Sequence, residues 1–244
     1  MTAYRELATD TNIDEFRKVV ESRRSVRRFT DEEVPQAVID DCLDLAMLAP
    51  NSSNLQPWEF YVVRSADLKK QLAYTCLNQN AAKTANVLIP IVARTNTWRQ
   101  NAARNLEFWP EETMPKIVKS YYSKVAPIHY NAGPLGLLGL AKKALGLVAG
   151  IKRPVPRGPY SICEMKTWAV KSTALAAENM MLAFRAHGFD TCPMEGFDDR
   201  RARKLLNLPD DAIITMILAV GRRAEDGIYH RRYRFPRDEF VHYL

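Results

Sequence analysis

The sequence predicts an α+β fold in which helices flank one central sheet. Segments with helical and with strand periodicity follow one another irregularly, and too few strand–helix–strand units occur in succession for a doubly wound parallel sheet. The 244 residues are 47% apolar, which is enough to bury one substantial core. We therefore expect a single domain spanning residues 1–244.

The first third of the chain is predicted to alternate amphipathic helices with strands. Ile13, Phe16 and Val20 share one face of a helix, and Pro35 suits the first turn of a second helix. The β-branched apolar run at 87–93 is typical of a buried strand. The predicted elements of this part are helices at 13–22, 35–48 and 67–75 and strands at 58–63 and 87–93.

The last third is predicted to begin with a long helix. Ser161 and Glu164 have the spacing of a capping box, and Gly188 is a suitable stop signal. Apolar side chains lie nearly all round this helix, which indicates burial in a core or a subunit interface. The remaining predicted elements are strands at 189–194 and 212–220, a helix at 200–205 and a basic, aromatic C-terminal arm at about 222–244.

The segment 96–160 breaks this rhythm and contains a long stretch whose charged residues are all basic. The formal net charge is +7, and no acidic residue occurs between Glu112 and Glu164. Eight bases occupy that stretch: Lys116, Lys119, Lys124, Lys142, Lys143, Lys152, Arg153 and Arg157. Helices are plausible at 99–109, 114–124 and 133–150, and the prolines of 152–159 exclude regular structure. We interpret 96–160 as an inserted lid or arm.

Several classes of site and location are not supported by the sequence. HExxH, GxSxG, GxGxxG, P-loop and CxxC patterns are missing, and the four histidines have no metal-ligand spacing. We predict no metal and assign no catalytic side chain. The first twenty residues hold no apolar run, so we expect no secretory signal, a cytoplasmic protein and reduced thiols.

Three polar motifs are candidates for binding. RRSVRRF at 23–29 follows a helix, APNSSNLQPW at 49–58 joins a helix to a strand, and RRYRFP at 231–236 lies in the tail. Guanidinium groups bind phosphate bidentately, so the two basic motifs could bind an anion. Taken singly, however, they are better explained by a solvated basic loop and a charged terminus, and the 49–58 motif is consistent with ordinary turn chemistry.

Together with PMEGF at 193–197, these motifs occur in an order that resembles the nitroreductase family of FMN flavoproteins. The resemblance covers about 13–95 and 161–236. It implies a nitroreductase-like fold with a central, mainly antiparallel sheet flanked by helices. It also implies an intertwined homodimer whose active sites lie across the subunit interface.

The resemblance assigns roles to individual positions. The FMN phosphate and ribityl chain would be held by Arg23, Arg24, Ser25, Arg27, Arg232 and Arg234. The flavin of the partner subunit would be reached by Pro50, Asn51, Ser52 and Asn54, although many relatives have serine where this chain has Asn51. Main-chain amides of Glu195 and Gly196 would lie near flavin N5, and Asn78, with Gln79, near the pyrimidine edge.

The implied activity is that of an FMN-dependent oxidoreductase. NAD(P)H would reduce bound FMN, which would then reduce a nitroaromatic or quinone in a ping-pong reaction. Two alternatives remain: a specialised flavin enzyme of the same family, such as a reductive dehalogenase or flavin-consuming enzyme, and a non-enzymatic FMN-binding protein. We expect no nucleic-acid partner, since the basic insert contains no recognised nucleic-acid module.

The insert at 96–160 admits three interpretations. It is a lid that attracts an anionic donor or acidic acceptor, a solvated arm that wraps the partner subunit, or an interfacial helix that rests on anionic lipid and reaches a membrane quinone. The first two are equally supported. The third is less favoured because Gly and Pro interrupt the segment.

Overall fold

The computed structural model describes residues 6–133 and 136–244. The helices in chain order are α1 (Ile13–Ser22), α2 (Gln36–Met47), α3 (Ala66–Thr75), α4 (Asn80–Thr84), α5 (Trp98–Glu107), α6 (Lys116–Ser120), α7 (Ala126–Tyr130), α8 (Leu137–Ala149), α9 (Ile162–Ala186) and α10 (Asp199–Leu205). The strands are β1 (Trp58–Phe60), β2 (Val87–Arg94), β3 (Asp190–Met194) and β4 (Ala212–Gly221). The helices and strands predicted from periodicity are present, with ends shifted by a few residues.

The four strands form one antiparallel sheet in the order β1-β2-β4-β3. The central strand β2 is buried at every position except Arg94, as its β-branched sequence predicts. The predicted strand 58–63 is shorter than expected, because regular pairing stops at Phe60. Tyr61 lies beside Pro90 and donates to its carbonyl oxygen at 3.1 Å, but Pro90 has no amide to return the bond. The α+β class with an antiparallel sheet is confirmed.

Helix α9 begins and ends at the predicted signals. Ser161 Oγ accepts a hydrogen bond from the Glu164 amide at 3.2 Å, and Gly188 follows the helix with φ of +83°. The capping box differs in one detail, since the Glu164 carboxylate accepts from the Tyr160 amide at 2.5 Å and not from that of Ser161. The first contact satisfies a donor that the helix start leaves free, and the second satisfies the amide that precedes the N-cap.

The core lies on both faces of the sheet. On one face α9 and α2 cover the sheet, and Met180 and Phe184 are fully buried there. On the other face α3 and α10 pack over Leu88 and Ile217. Cys42 and Cys76 belong to these two layers, and burial raises their thiol pKa values to about 12 and about 11. The thiols of the described residues are all free.

The insert is helical and anchored by aromatic side chains. Helix α6 continues through a π-helical turn at Tyr121–Val125 into α7, and α8 follows as a separate helix. Tyr130 is buried between Trp98 and Trp168 of α9. Residues 134 and 135 of the predicted 133–150 helix lie outside the described residues. No helix in the described part of the chain is long and apolar enough to cross a membrane.

Helix α1 and the C-terminal arm are exposed to solvent within the described residues. None of the α1 side chains is buried, and its predicted apolar face is open to solvent, with Ile13 62% and Phe16 56% exposed. The C-terminal arm is exposed at every position from Tyr229 to Leu244. Amphipathic periodicity correctly predicts α1, but its apolar face has no cover within the described residues of one chain.

Candidate functional site

The two basic motifs meet in one cleft of about 540 Å³. Six predicted residues line it: Arg23, Arg24, Ser25, Arg27, Arg232 and Arg234. The cleft also contains four residues that motif reasoning missed, namely Ile228, Tyr229, His230 and Tyr233. Their proximity to Arg232 in the sequence is the only signal that could have indicated them.

The N-terminal basic loop is held in place by its backbone. The Val26 amide donates to the Thr191 carbonyl oxygen of β3 at 3.0 Å, and the Arg27 amide donates to the Gly227 carbonyl oxygen at 2.7 Å. Val26 itself is fully buried. In extended backbone neighbouring side chains point to opposite sides, so burying Val26 turns Ser25 and Arg27 outward into the cleft.

The arginines of the cleft outnumber the carboxylates near them. In the described ranges, Arg24, Arg27, Arg232 and Arg234 form no ion pair, and Arg23 has only Glu178 at 4.0 Å. Burial, followed by the charges of the neighbouring cleft arginines, lowers the pKa of Arg232 below its usual value. Uncompensated, crowded positive charge is unfavourable unless an anion binds. The cleft therefore suits a compact polyanion.

Two of these arginines are oriented by main-chain contacts across the cleft. Arg24 Nη2 donates to the His230 carbonyl oxygen at 2.6 Å, and Arg232 Nη2 donates to the Arg23 carbonyl oxygen at 2.5 Å. Each guanidinium has five N–H donors. One bond to the backbone fixes the position of the group and leaves the other donors available to a ligand.

The segment after β3 lies next to this cleft. Gln79 Nε2 donates to the Gly196 carbonyl oxygen at 2.8 Å, and the adjacent Asn80 donates to the Tyr229 hydroxyl at 3.1 Å. Glu195 and Gly196 are exposed. Their main-chain amides have no acceptor among residues 6–133 and 136–244. Two backbone donors without an acceptor in the described residues therefore lie near the basic cleft.

Of the two polar residues predicted at this edge, Gln79 makes the contact. Asn78 is exposed and has a left-handed backbone with φ of +53° just after α3. Its amide donates to the Ala73 carbonyl oxygen at 3.0 Å and so closes the end of that helix. The structure therefore gives Asn78 a turn role and gives Gln79 and Asn80 the contacts between segments.

The 49–58 loop lies apart from the arginine cleft and lines a second cleft of about 570 Å³ with Asn54 and Gln56. Three of its residues have left-handed backbones without being glycine: Ser53 (φ +60°), Asn54 (φ +47°) and Gln56 (φ +44°). The Asn51 carboxamide accepts from the Gln56 amide at 2.8 Å. That side chain therefore holds the loop closed, and Pro50 stays exposed.

Hydroxyl groups of the insert hold the strained loop. Tyr130 OH lies 2.8 Å from Ser52 Oγ and 2.9 Å from Ser53 Oγ, and Tyr121 OH lies 2.5 Å from Ser53 Oγ. Asn105 of α5 bonds both the carbonyl oxygen and the side chain of Asn54, at 2.8 and 2.9 Å. Motif reasoning found the loop but missed these partners, because nothing in the sequence pairs 52–54 with 105–130.

The structure thus separates the predicted site into two parts. The arginines and Ser25 converge on one cleft, and the 195–196 segment is linked to it through Gln79 and Asn80. No hydrogen bond in the described residues joins the 50–54 loop to this cleft. Burial, with a smaller effect of Lys142, lowers the pKa of His129. Within the described residues no cluster of three or more potential ligand side chains could hold a metal ion.

Comparison with known proteins connects this geometry to one family. The Nitroreductase family model matches residues 20–222. "Protein DrgA" of Synechocystis sp. is 29% identical over 215 residues, which cover 88% of this chain and 87% of that protein. A protein of Thermus thermophilus named "NADH dehydrogenase" is 27% identical over 221 residues, covering 90% of this chain and 91% of that one.

Solved structures share the fold. The Nitroreductase Family Protein of Streptococcus pneumoniae TIGR4 has a TM-score of 0.71 and 23% identity, covering 94% of this chain and 100% of its own. A protein of Exiguobacterium sibiricum 255-15 solved in complex with FMN has a TM-score of 0.70 and 23% identity, covering 98% and 99%. With the family model matched over most of its length, this chain belongs to the Nitroreductase family.

Proposed function

We propose that the chain is an NAD(P)H-dependent FMN oxidoreductase. The observation that carries the proposal is the arginine cleft, whose guanidinium groups converge with a single ion-pair partner among the described residues, Glu178 at 4.0 Å from Arg23. The FMN phosphate is a dianion, and convergent arginines both neutralise it and fix its position. Membership of the Nitroreductase family and the FMN-bound structural neighbour support the same cofactor.

The residues of the cleft fit this cofactor. Arg23, Arg24, Arg27, Arg232 and Arg234 would hold the phosphate, and Ser25 would add a hydroxyl donor to the phosphate or ribityl chain. Burial and, after it, the charges of neighbouring arginines lower the pKa of Arg232, and a bound dianion would offset the repulsion among these arginines. Binding energy is therefore concentrated at the phosphate end of the cofactor.

The amides of Glu195 and Gly196 would face the redox-active end of the flavin. Bound FMN would supply the electron-transfer chemistry, accepting a hydride from NAD(P)H and passing electrons to the acceptor. Backbone donors near N5 stabilise the negative charge that develops on reduction, as an oxyanion hole does. Gln79, with Asn78 beside it, would meet the pyrimidine edge. No side chain is assigned as a catalytic acid or base.

A homodimer would complete the site. The loop that carries Pro50, Asn51, Ser52 and Asn54 lines a different cleft from the arginines. A two-fold axis that places the loop of one protomer over the cleft of its partner would join both parts. The exposed apolar face of α1 and the exposed C-terminal arm support an extensive, intertwined interface. In this arrangement the insert is an arm that holds the loop through Tyr121 and Tyr130.

We infer a nitroaromatic or quinone as acceptor and a ping-pong reaction. Donor and acceptor would use the same flavin face in turn, so neither needs to be present with the other. Parallel double-reciprocal plots for NADPH and the acceptor are the expected result, and intersecting lines that require a ternary complex would contradict it.

The test begins with cofactor selectivity. The purified protein is titrated with FMN and with riboflavin, and flavin fluorescence quenching gives each dissociation constant. Riboflavin lacks the phosphate, so we expect it to bind at least about 100-fold more weakly, as loss of two charge-assisted contacts implies. Equal binding of the two flavins would refute the phosphate assignment.

The second measurement distinguishes an enzyme from a binding protein. The FMN-loaded protein is mixed with NADPH or NADH without oxygen, and the visible flavin absorbance is followed. Bleaching supports an oxidoreductase. An FMN complex that neither nucleotide bleaches would retain the cofactor and replace the proposal with a non-enzymatic FMN-binding protein.

A further inference from the structure

Helix α8 has small and polar residues on the face towards the protein and large apolar residues on the face towards solvent. Gly139, Lys142 and Gly146 follow one another at spacings of three and four residues, so they share one face. Gly139 is buried, and Lys142 and Gly146 are half-buried. The small and polar face of α8 therefore points towards the protein.

Close contacts fix this orientation. A Cβ atom on Gly139 would lie 1.7 Å from the Tyr160 carbonyl oxygen, and one on Gly146 would lie 2.9 Å from the Tyr160 hydroxyl. Lys142 Nζ donates to the carbonyl oxygens of Ile128, His129 and Pro159 at 3.0, 2.8 and 3.3 Å. Glycine at both contacts lets the helix backbone approach Tyr160, and the lysine ties the helix to two neighbouring segments.

The opposite, apolar face points away from the protein. Six large apolar side chains of α8 and the turn after it are more than half exposed: Leu137, Leu140, Leu145, Leu147, Val148 and Ile151. Beside them, Leu145 shares an apolar groove of about 320 Å³ with Val125 and Ile128. A contiguous exposed apolar surface of this kind marks an interaction site.

The charge around this face identifies its partner. All eight charged residues between Glu112 and Glu164 are bases. Lys143 on α8 and Lys152, Arg153 and Arg157 just after it are exposed. An anionic bilayer is apolar inside and negatively charged at its surface. Exposed leucines flanked by bases, with no acidic residue among them, complement such a surface.

We propose that α8 and the turn that follows it form an interfacial anchor that places its leucine face in the surface of an anionic lipid bilayer. The glycines that argue against a membrane-surface helix in the sequence are the residues that allow α8 to dock on Tyr160 with its leucines outward. Two-fold pairing of α8 with a second copy is disfavoured, because it would bring together two 113–163 segments in which every charged residue is a base.

The experiment is co-sedimentation of the full chain with vesicles of phosphatidylcholine alone and of phosphatidylcholine with phosphatidylglycerol. We expect binding to the anionic vesicles and at least roughly tenfold weaker binding to the neutral ones, because each base near an anionic surface contributes. Binding that is the same for both, or absent from the anionic vesicles, would overturn the proposal. FMN is not needed, so this result is independent of the proposed reductase activity.

Paired variants localise the contact. Leu140→Gln with Leu147→Gln should weaken binding to anionic vesicles by at least about tenfold, since each leucine loses its burial in lipid. Leu7→Gln with Leu77→Gln is the matched control, because both residues are exposed and lie outside the insert. Circular dichroism verifies that both variants fold. Equal loss in the control pair would refute the assignment to α8.

Sedimentation velocity without lipid tests whether a second copy of this chain, instead of lipid, covers the leucine face of α8. The α8 variant should retain the oligomeric state of the unmodified protein. A variant that dissociates into smaller species would show that α8 packs on a second copy of this chain, and would overturn the lipid proposal. Lys143→Glu with Lys152→Glu should reduce vesicle binding by at least about tenfold, and unchanged binding would contradict the charge argument.

Discussion

The protein has two basic regions that arrange their charge in different ways. In the arginine cleft, guanidinium groups from residues 23–27 and 232–234 converge on one space of about 540 Å³. In the insert, exposed lysines and arginines are spread along the surface next to outward-facing leucines. Within the described residues the cleft arginines form one ion pair, that of Arg23 with Glu178 at 4.0 Å, and the insert has no acidic residue after Glu112.

The difference indicates two kinds of ligand. Convergent, oriented donors favour one compact anion, because several hydrogen bonds meet at the same group. Dispersed bases beside apolar side chains favour an extended surface, because each base contributes a little and the apolar contacts add to it. The total basic charge of a sequence therefore does not identify a ligand until its arrangement in space is known.

Removing two of the converging arginines should have the largest effect, which is on the affinity for FMN. Arg24→Ala combined with Arg232→Ala should raise the dissociation constant for FMN at least about 100-fold, since each charge-assisted hydrogen bond contributes about 1.5–3 kcal/mol. Fluorescence quenching measures the change. Arg28→Ala is the matched control, because Arg28 lies in the same motif but pairs with Asp226. Similar weakening by the control would contradict a specific cleft.

The carboxylate of Asp190 pairs with two arginines outside the cleft. Replacing it should therefore lower the stability of the fold without weakening FMN binding. Asp190 has a side chain 2% exposed and pairs with Arg185 at 3.0 Å and Arg223 at 2.6 Å. Asp190→Ala should lower the free energy of unfolding by about 3–5 kcal/mol, because it leaves buried charge unpaired. Urea denaturation measures this loss.

The control for that prediction is an exposed pair. Asp226→Ala breaks the contact with Arg28, whose side chain is about half exposed, and should cost about 1 kcal/mol or less. If Asp190→Ala and Asp226→Ala lower the free energy of unfolding equally, burial of the carboxylate does not distinguish arginines that stabilise the fold from those of the cleft.

The packing of α8 can be tested at its two glycines. Gly139→Ala should destabilise the insert by about 1–3 kcal/mol, because the new Cβ collides with a backbone oxygen that cannot move freely. Gly146→Ala meets only the end of a tyrosine side chain, so it should be neutral or slightly stabilising through helix propensity. Hydrogen exchange of the α8 amides reports both. Matching behaviour of the two variants would refute the close contact with Tyr160.

The smallest expected effect concerns the link between insert and loop. Tyr130→Phe removes the hydroxyl that lies within 2.9 Å of Ser52 and Ser53 and should cost about 1 kcal/mol. Urea denaturation measures it, with Tyr243→Phe as an exposed control. A cost no larger than that of the control would show that this hydroxyl does not hold the loop.

Much of the site could be predicted because its residues are close together in sequence. RRSVRRF and the RRYRFP tail identify the cleft arginines, and PMEGF identifies the amides after β3. Asn80, Tyr229, Tyr121 and Tyr130 could not be found in this way. Their roles depend on contacts between residues more than 60 positions apart, such as Tyr121 with Ser53, and a single sequence gives no record of such pairs.

The sequence by itself determined the element order, the sheet-forming strands and the limits of α9, because periodicity and capping act between neighbours in the chain. It also determined how much basic charge the two regions carry. Only the tertiary structure decided which arginines converge, that the 49–58 loop lines a different cleft, and that α8 turns its glycines inward and its leucines outward. Helical periodicity shows that a helix has two faces, but the contact with Tyr160 decides which face meets the protein.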